Sequence, residues 1–168
     1  MRQTPFVVNV AGLRRSPGTR RRERRQGPLA ELEGSASRVP DAAEVVVDVG
    51  LESVPGGVIA RGAVAAPWRG ACRRCLEEVS GQVATEVLEL FEEDHDPEQT
   101  YPLRGDQLDL EPLARDAVLL ELPLAPLCHE GCKGLCPSCG ANLNQGSCAC
   151  RPEPEDPRWA ALDALRDR

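Results

Sequence analysis

The chain has 168 residues, 41% of them hydrophobic but only five aromatic, and a formal net charge of −7. This length suits one ordinary domain with at most a small appendage, and a core of Val, Leu and Ala is thin enough that a metal clamp would reinforce it. An acidic chain is not a generic nucleic-acid binder, so contact with RNA has to come from local basic patches.

Met1 to Leu13 shows no secretory h-region, and no stretch approaches a membrane span. The expected setting is cytoplasmic, where thiols stay reduced. Phe6, Val8 and Val10 alternate and predict a first strand. Arg14 to Arg25 holds seven Arg and one Glu, a local charge of +6, which leaves −13 for the remainder. With Ser16-Pro17-Gly18 inside it, segment 14–27 reads as a mobile Arg-rich surface loop, either a solvated linker or an arm that neutralises phosphates. Leu29 to Val39 carries no clear signal. Glu44 to Val54 is the clearest strand, with Val45, Val47, Val49 and Leu51 on one face and Asp48 and Glu52 on the other. Pro55-Gly56-Gly57 is a turn, Val58 to Ala66 returns, and Val79 to Phe91 forms a third run. Three successive segments of period two predict an antiparallel meander.

Glu92 to Gln107 reads as acidic and turn-rich, and its His95 as a solvent-facing side chain rather than a ligand. From Asp109 to Leu122 the period becomes helical, with Leu110, Leu113, Ala114, Ala117 and Val118 on one stripe, Asp109 as cap, Pro112 in the first turn and Pro123 as terminator. Arg151 to Asp156 reads as a linker and Asp156 onward as a short helix bearing Trp159, Leu162 and Leu165. The expected fold is α+β: a small antiparallel meander or partly open barrel, one packed helix, zinc-knuckle elements and a short C-terminal helix. The expected division is a mostly β core over 1–135, a knuckle over 136–150, and a linker with helix over 151–168.

Eight cysteines carry the chemistry: Cys72, Cys75, Cys128, Cys132, Cys136, Cys139, Cys148 and Cys150. Reduced thiols in C-x-x-C and C-x-C pairs suit tetrahedral zinc, and two Cys₄ sites use all eight, giving an expectation of two Zn²⁺ per chain. Cys136-Cys139 with Cys148-Cys150 would make a compact local site. Cys72-Cys75 with Cys128-Cys132 would then tie a hairpin tip to the segment after the helix. The competing arrangement groups Cys128, Cys132, Cys136 and Cys139, and leaves Cys72 and Cys75 to Cys148 and Cys150. Enzymatic alternatives fit poorly. A thioredoxin-type pair needs a βαβ context. The three-cysteine iron–sulfur spacing of Cys132, Cys136 and Cys139 belongs to much larger barrels. A zinc deaminase needs H-x-E and P-C-x-x-C, whereas here His129-Glu130 are adjacent and Pro137 follows Cys136. Four thiolates close a zinc site to substrate, so no catalysis is expected.

Cys72-Arg-Arg-Cys75-Leu76, the helix leading through Leu-Pro-Leu-Ala-Pro-Leu into Cys128, Cys132-Lys-Gly-Leu-Cys136-Pro-Ser-Cys139-Gly-Ala-Asn142-Leu-Asn144, and Asp156-Pro-Arg-Trp159-Ala-Ala-Leu162 together resemble the YceD family. Its members are called large ribosomal RNA subunit accumulation proteins. The resemblance spans about Val45 to Leu165 and implies a small mostly β domain, a bacterial or plastid setting, and a role in 23S rRNA accumulation. Some members lack the second cysteine cluster, which implies that the first is the common core. The expected partner is 23S rRNA or its precursor, met by Arg69, Arg73, Arg74 and Lys133 with help from the Arg14–Arg25 arm. The other reading is an adaptor that holds a basic large-subunit ribosomal protein, or a nuclease, through the acidic surface and the Trp159 helix.

Overall fold

The computed structural model describes residues 4–150 and Arg158. Apart from Arg158, the expected C-terminal linker and helix lie outside the described residues. The elements are β1 (Val7–Asn9), α1 (Ala11–Arg14), β2 (Arg20–Pro28), β3 (Ser37–Arg38), β4 (Glu44–Val54), β5 (Gly57–Ala71), β6 (Glu78–Glu92), β7 (Tyr101–Arg104), β8 (Gln107–Asp109) and α2 (Glu111–Glu121). They form one curled half-barrel sheet in the order β1-β8-β7-β6-β5-β4-β2. β3 pairs with Arg69 and Gly70 of β5, beyond the stretch that β4 covers.

The centre is the expected antiparallel meander β4-β5-β6. Alternation in β4 buries Val45, Val47, Val49 and Leu51. Across the sheet Val47 faces Val64 and Leu51 faces Ala60, and on the next strand Phe91 faces Val58, Val87 faces Gly62 and Val83 faces Ala66. α2 closes this face against β6 and β5 with Leu113, Ala114 and Val118, flanked by buried Leu110 and Leu122. The helix starts one residue later than expected, with Leu110 rather than Asp109 at its N-cap; the Asp109 carboxylate still accepts the Glu111 N–H at 3.0 Å, and Pro112 occupies the first turn. Phe6, Val8 and Val10 are all buried, as their alternation predicts, although the strand they flank is short and runs into α1.

Three segments differ from expectation. The Arg-rich stretch is not a mobile loop over its length: Arg20 to Pro28 is an edge strand, in register with β4 from Arg20↔Glu52 to Pro28↔Glu44. Its two faces are both charged, so no hydrophobic period betrays it. Arg22 bonds Asp48 with two nitrogens, at 2.8 and 2.9 Å, Arg24 joins the same carboxylate, and Arg20 pairs with Glu52. On the other face Glu23 sits between Arg21 and Arg25, at 2.7 and 3.0 Å. The Arg22 hydrogen bonds hold the Asp48 carboxyl below the usual range. A strand edge lined with Arg and ending in Pro28 resists pairing with another chain. Leu29 to Val39, silent in sequence, supplies core residues Leu29, Leu32 and Val39 from irregular backbone. The acidic segment after β6 contains β7, parallel to β6 at Phe91↔Tyr101, and β8. Phe91 and Tyr101 stack with ring centroids 5.2 Å apart. The Tyr101 hydroxyl donates to Asp116 at 2.8 Å, tying this hairpin to α2.

Gly62 lets the β4 and β5 backbones approach closely. A Cβ on Gly62 would press on the Asp48 carbonyl and lie 2.7 Å from Val49 Cα, whereas one on Gly50 would meet only the Arg61 carbonyl oxygen at 3.7 Å. Gly62→Ala must therefore push two strand backbones apart, and is expected to lower stability by about 1–3 kcal/mol. Gly50→Ala, on the exposed face, is expected to be neutral or slightly stabilising. Urea or thermal denaturation of the two variants checks the contrast; equal effects would contradict it.

Candidate metal centre

The β5–β6 hairpin ends in Cys72-Arg-Arg-Cys75, and the chain leaving α2 passes beneath it with Cys128 and Cys132. Backbone and side-chain bonds hold these two segments together. The Arg73 N–H donates to the Pro126 carbonyl at 2.9 Å, and the Leu135 N–H to the Arg74 carbonyl at 3.1 Å. Arg74 reaches back with Nη1 to the carbonyls of Glu130 and Cys132, at 3.1 and 2.9 Å. Cys72, Cys75 and Cys132 are buried, with Val79, Leu127 and Leu135 packed around them. The sulfurs of Cys72 and Cys132 lie 3.8 Å apart, and those of Cys75 and Cys128 lie 3.6 Å apart. A tetrahedron with metal–sulfur arms of about 2.3 Å has edges of about 3.8 Å. The four thiols thus stand where one ion could take all of them.

The second group is Cys136, Cys139, Cys148 and Cys150, whose ligand atoms also lie within 4.8 Å of one another. The grouping of all eight cysteines is therefore that of the first arrangement considered from sequence. His95 belongs to neither tetrad. Only Cys136 of the second group is buried; Cys139 and Cys150 are exposed. This site is shallow where the first is deep.

The two C-x-x-C turns share one backbone design. In the first, the Cys72 N–H donates to the Glu77 carbonyl at 2.8 Å and the Leu76 N–H to the Cys72 carbonyl at 2.9 Å. In the second, the Cys136 N–H donates to the Ala141 carbonyl at 2.8 Å and the Gly140 N–H to the Cys136 carbonyl at 2.9 Å. The residue after the second cysteine is left-handed in both, with φ +63° at Leu76 and +73° at Gly140. Glycine takes that conformation freely; leucine is strained there by roughly 1–2 kcal/mol.

A polar bridge joins the two tetrads. Asn144 donates Nδ2 to the Cys132 sulfur at 3.3 Å and accepts the Lys133 N–H at 2.8 Å. Asn142 donates to Glu77 at 2.8 Å, and Gln145 donates to the same oxygen at 3.1 Å. Asn142 also accepts from both nitrogens of Asn144 at 2.9 Å. Sequence reasoning assigned no role to Asn142, Asn144 or Gln145, and weighed Glu77 as a partner of Arg73 or Arg74, whereas it bonds Asn142 and Gln145. The only signal was the Asn-Leu-Asn spacing beside a cysteine pair.

These surroundings divide the thiols into easily ionised and reluctant members. Burial pushes Cys72 up, but the N–H groups of Cys75, Cys128 and Arg74 outweigh it and bring the thiol down to about 6. The N–H groups of Cys139 and Ser138, with the Cys148 thiol, lower Cys136 to about 6. Burial and the neighbouring thiols Cys132, Cys75 and Cys72 push Cys128 up to about 12. Cys139 first, then burial, do the same to Cys150, also to about 12. A cation is what would let all four members of a tetrad ionise together, since each thiolate otherwise opposes the next.

Of the four cationic residues singled out from sequence, Arg69, Arg73 and Lys133 are exposed, and their side chains bond to no described residue. Arg74 is placed differently: its Nη1 is a strut across the first tetrad. Among the described residues no helix is long and apolar enough to cross a membrane.

The family model described as "Large ribosomal RNA subunit accumulation protein YceD" matches residues 60–166. The chain is 36% identical to an uncharacterized protein of Mycobacterium tuberculosis over 173 residues, which covers 95% of this chain and 80% of that one. It is 32% identical to an uncharacterized protein of Mycobacterium leprae, over 83% of this chain and 68% of that one. It is also 37% identical to a chloroplastic protein of Arabidopsis thaliana, large ribosomal RNA subunit accumulation protein YCED homolog 1, over 68 residues, or 40% of this chain and 21% of that one. No solved structure matches. The matched segment contains both tetrads, all but the first three residues of the β5–β6 hairpin, and α2, and the chain belongs to the YceD family of large ribosomal RNA subunit accumulation proteins.

Proposed function

We propose that this protein is a non-catalytic assembly factor of the large ribosomal subunit that binds 23S rRNA or its precursor through the face around the first cysteine tetrad. The family description and the plant relative's name support the ribosomal setting. The observation that carries the RNA contact is the placement of Arg69, Arg73 and Lys133: three exposed cations without a described partner, fixed to rigid backbone at the tetrad. Phosphate contact positions an RNA without reading its sequence, and cations on a braced turn lose little freedom on binding.

In this reading Cys72, Cys75, Cys128 and Cys132 hold one Zn²⁺, and Cys136, Cys139, Cys148 and Cys150 hold a second. The donor set fits. Four thiolates at tetrahedral spacing leave no open position, so the ions brace the fold rather than activate a substrate. Each such site carries a net charge of −2, which weakens the local pull on phosphates. Arg69 and Lys133 are therefore needed beside Arg73. The protein acts in the cytoplasm, where its thiols stay reduced.

The depth of the two tetrads predicts unequal consequences of losing them. Cys72→Ser removes a ligand that joins the hairpin to the chain after α2. Structural zinc is worth roughly 10–16 kcal/mol in small modules, more than the ordinary margin of a domain. The variant is expected to lose cooperative thermal unfolding. Cys148→Ser is expected to release one ion and lower the melting temperature by only about 2–6 °C. Equal losses would contradict the division of labour.

The RNA contact is tested by electrophoretic shift of precursor 23S rRNA fragments over a salt series. The parent is expected to bind with a steep salt dependence. Arg69→Glu with Arg73→Glu is expected to lower affinity and flatten the slope by about one charge per lost contact, with folding and metal content retained. A parent that shifts no RNA at low salt, yet captures a basic large-subunit ribosomal protein, would replace this reading with the adaptor.

A further inference from the structure

The first C-x-x-C turn spends stability on a side chain that its hydrogen bonds do not use. Leu76 occupies the left-handed position that the second turn fills with Gly140. The two turns have the same hydrogen bonds, so the molecule itself shows that glycine suffices there. Packing does not explain the leucine either, because 66% of it is exposed. Strain held at an exposed apolar side chain singles it out as a candidate contact for a partner.

A second cost lies in the same surface depression, which is bordered by Glu33, Arg38, Arg69, Leu76 and Glu78. Arg38 of β3 and Arg69 of β5 are directly opposed across the sheet. Opposed residues project from the same face, and like charges in that position repel. Glu33 faces Arg38 across an isolated bridge and Glu78 borders the depression, yet neither carboxylate comes within ion-pair distance of the two guanidiniums among the described residues. An anion from outside would relieve the repulsion, and an apolar surface beside it would take Leu76.

Resting on the RNA reading above, we propose that this depression receives an unstacked nucleotide of the RNA, such as a bulged or loop residue. Its base lies against Leu76, and its flanking phosphates lie between Arg38 and Arg69. A continuous duplex presents phosphates but no free base face, so it satisfies the arginines and leaves the leucine in water. Apolar side chains are used elsewhere to wedge against unstacked bases, and single-stranded bases offer a face that paired ones do not. An acidic, apolar protein segment would also satisfy the arginines and the leucine; the family's ribosomal RNA description favours the nucleotide.

The test uses the full chain and two RNA hairpins of equal length, one fully paired and one carrying a single unpaired nucleotide. The parent is expected to prefer the bulged hairpin by about tenfold. Leu76→Gly is expected to erase that preference while binding the paired hairpin as the parent does, with two metal ions retained and a melting temperature equal to or above the parent's. Arg38→Glu is expected to weaken both hairpins and flatten the salt slope. Equal binding of both hairpins by the parent, with a steep salt dependence, would overturn this inference and leave the RNA reading standing. So would a Leu76→Gly variant that melts lower and binds both hairpins less, since that is the behaviour of a structural residue. Absence of binding to either hairpin at low salt would overturn both.

Discussion

Everything at the functional end of this molecule depends on one junction, where the β5–β6 hairpin tip meets the chain leaving α2. Nothing in the sheet requires the two to touch. Fifteen-residue strands carry the tip beyond the reach of β4, which pairs with β5 only as far as Ala65. The main core lies around Val47, Leu51, Phe91 and Leu113, and the tip keeps only the small cluster about Cys72, Cys75 and Cys132. What joins the pieces is a tetrad of thiols braced by Arg74, by the Arg73–Pro126 backbone bond, and by the Ser37 hydroxyl, which donates to the Pro123 carbonyl at 2.8 Å. A thin aliphatic domain gains at this junction what a larger core would otherwise supply.

The second tetrad is built onto the first rather than beside it. Asn144 offers its amide to the Cys132 sulfur, and Asn142 and Gln145 share Glu77, which follows the first turn. Hydrogen bonds to a ligand sulfur orient it and stabilise its ionised form. The shallow site therefore helps to hold the deep one, while its own exposed cysteines gain little from burial.

Much of this was legible in the chain. The meander followed from Val45, Val47, Val49 and Leu51, and the helix from its stripe and its Asp109 and Pro112 signals, because burial of one face writes a period into the sequence. The cysteine spacing narrowed the tetrads to two arrangements. The arginine strand was illegible for a physical reason. Arg21, Glu23 and Arg25 on one face satisfy each other by charge, and Arg22 and Arg24 on the other use Asp48 of the neighbouring strand, so no apolar alternation is left to read. Leu29, Leu32 and Val39 enter the core from backbone without a period. The left-handed Leu76 is a conformation imposed by the turn, which residue identity conceals.

The central claim is that both tetrads are closed, four-sulfur zinc sites. X-ray absorption at the zinc edge of the purified full chain, with metal content measured on the same sample, tests it most directly. The account predicts two zinc ions per chain, each with four sulfur neighbours at about 2.3 Å and no nitrogen or oxygen shell. An iron edge with visible absorption, a zinc shell containing oxygen or nitrogen, or fewer than one zinc per chain would contradict it.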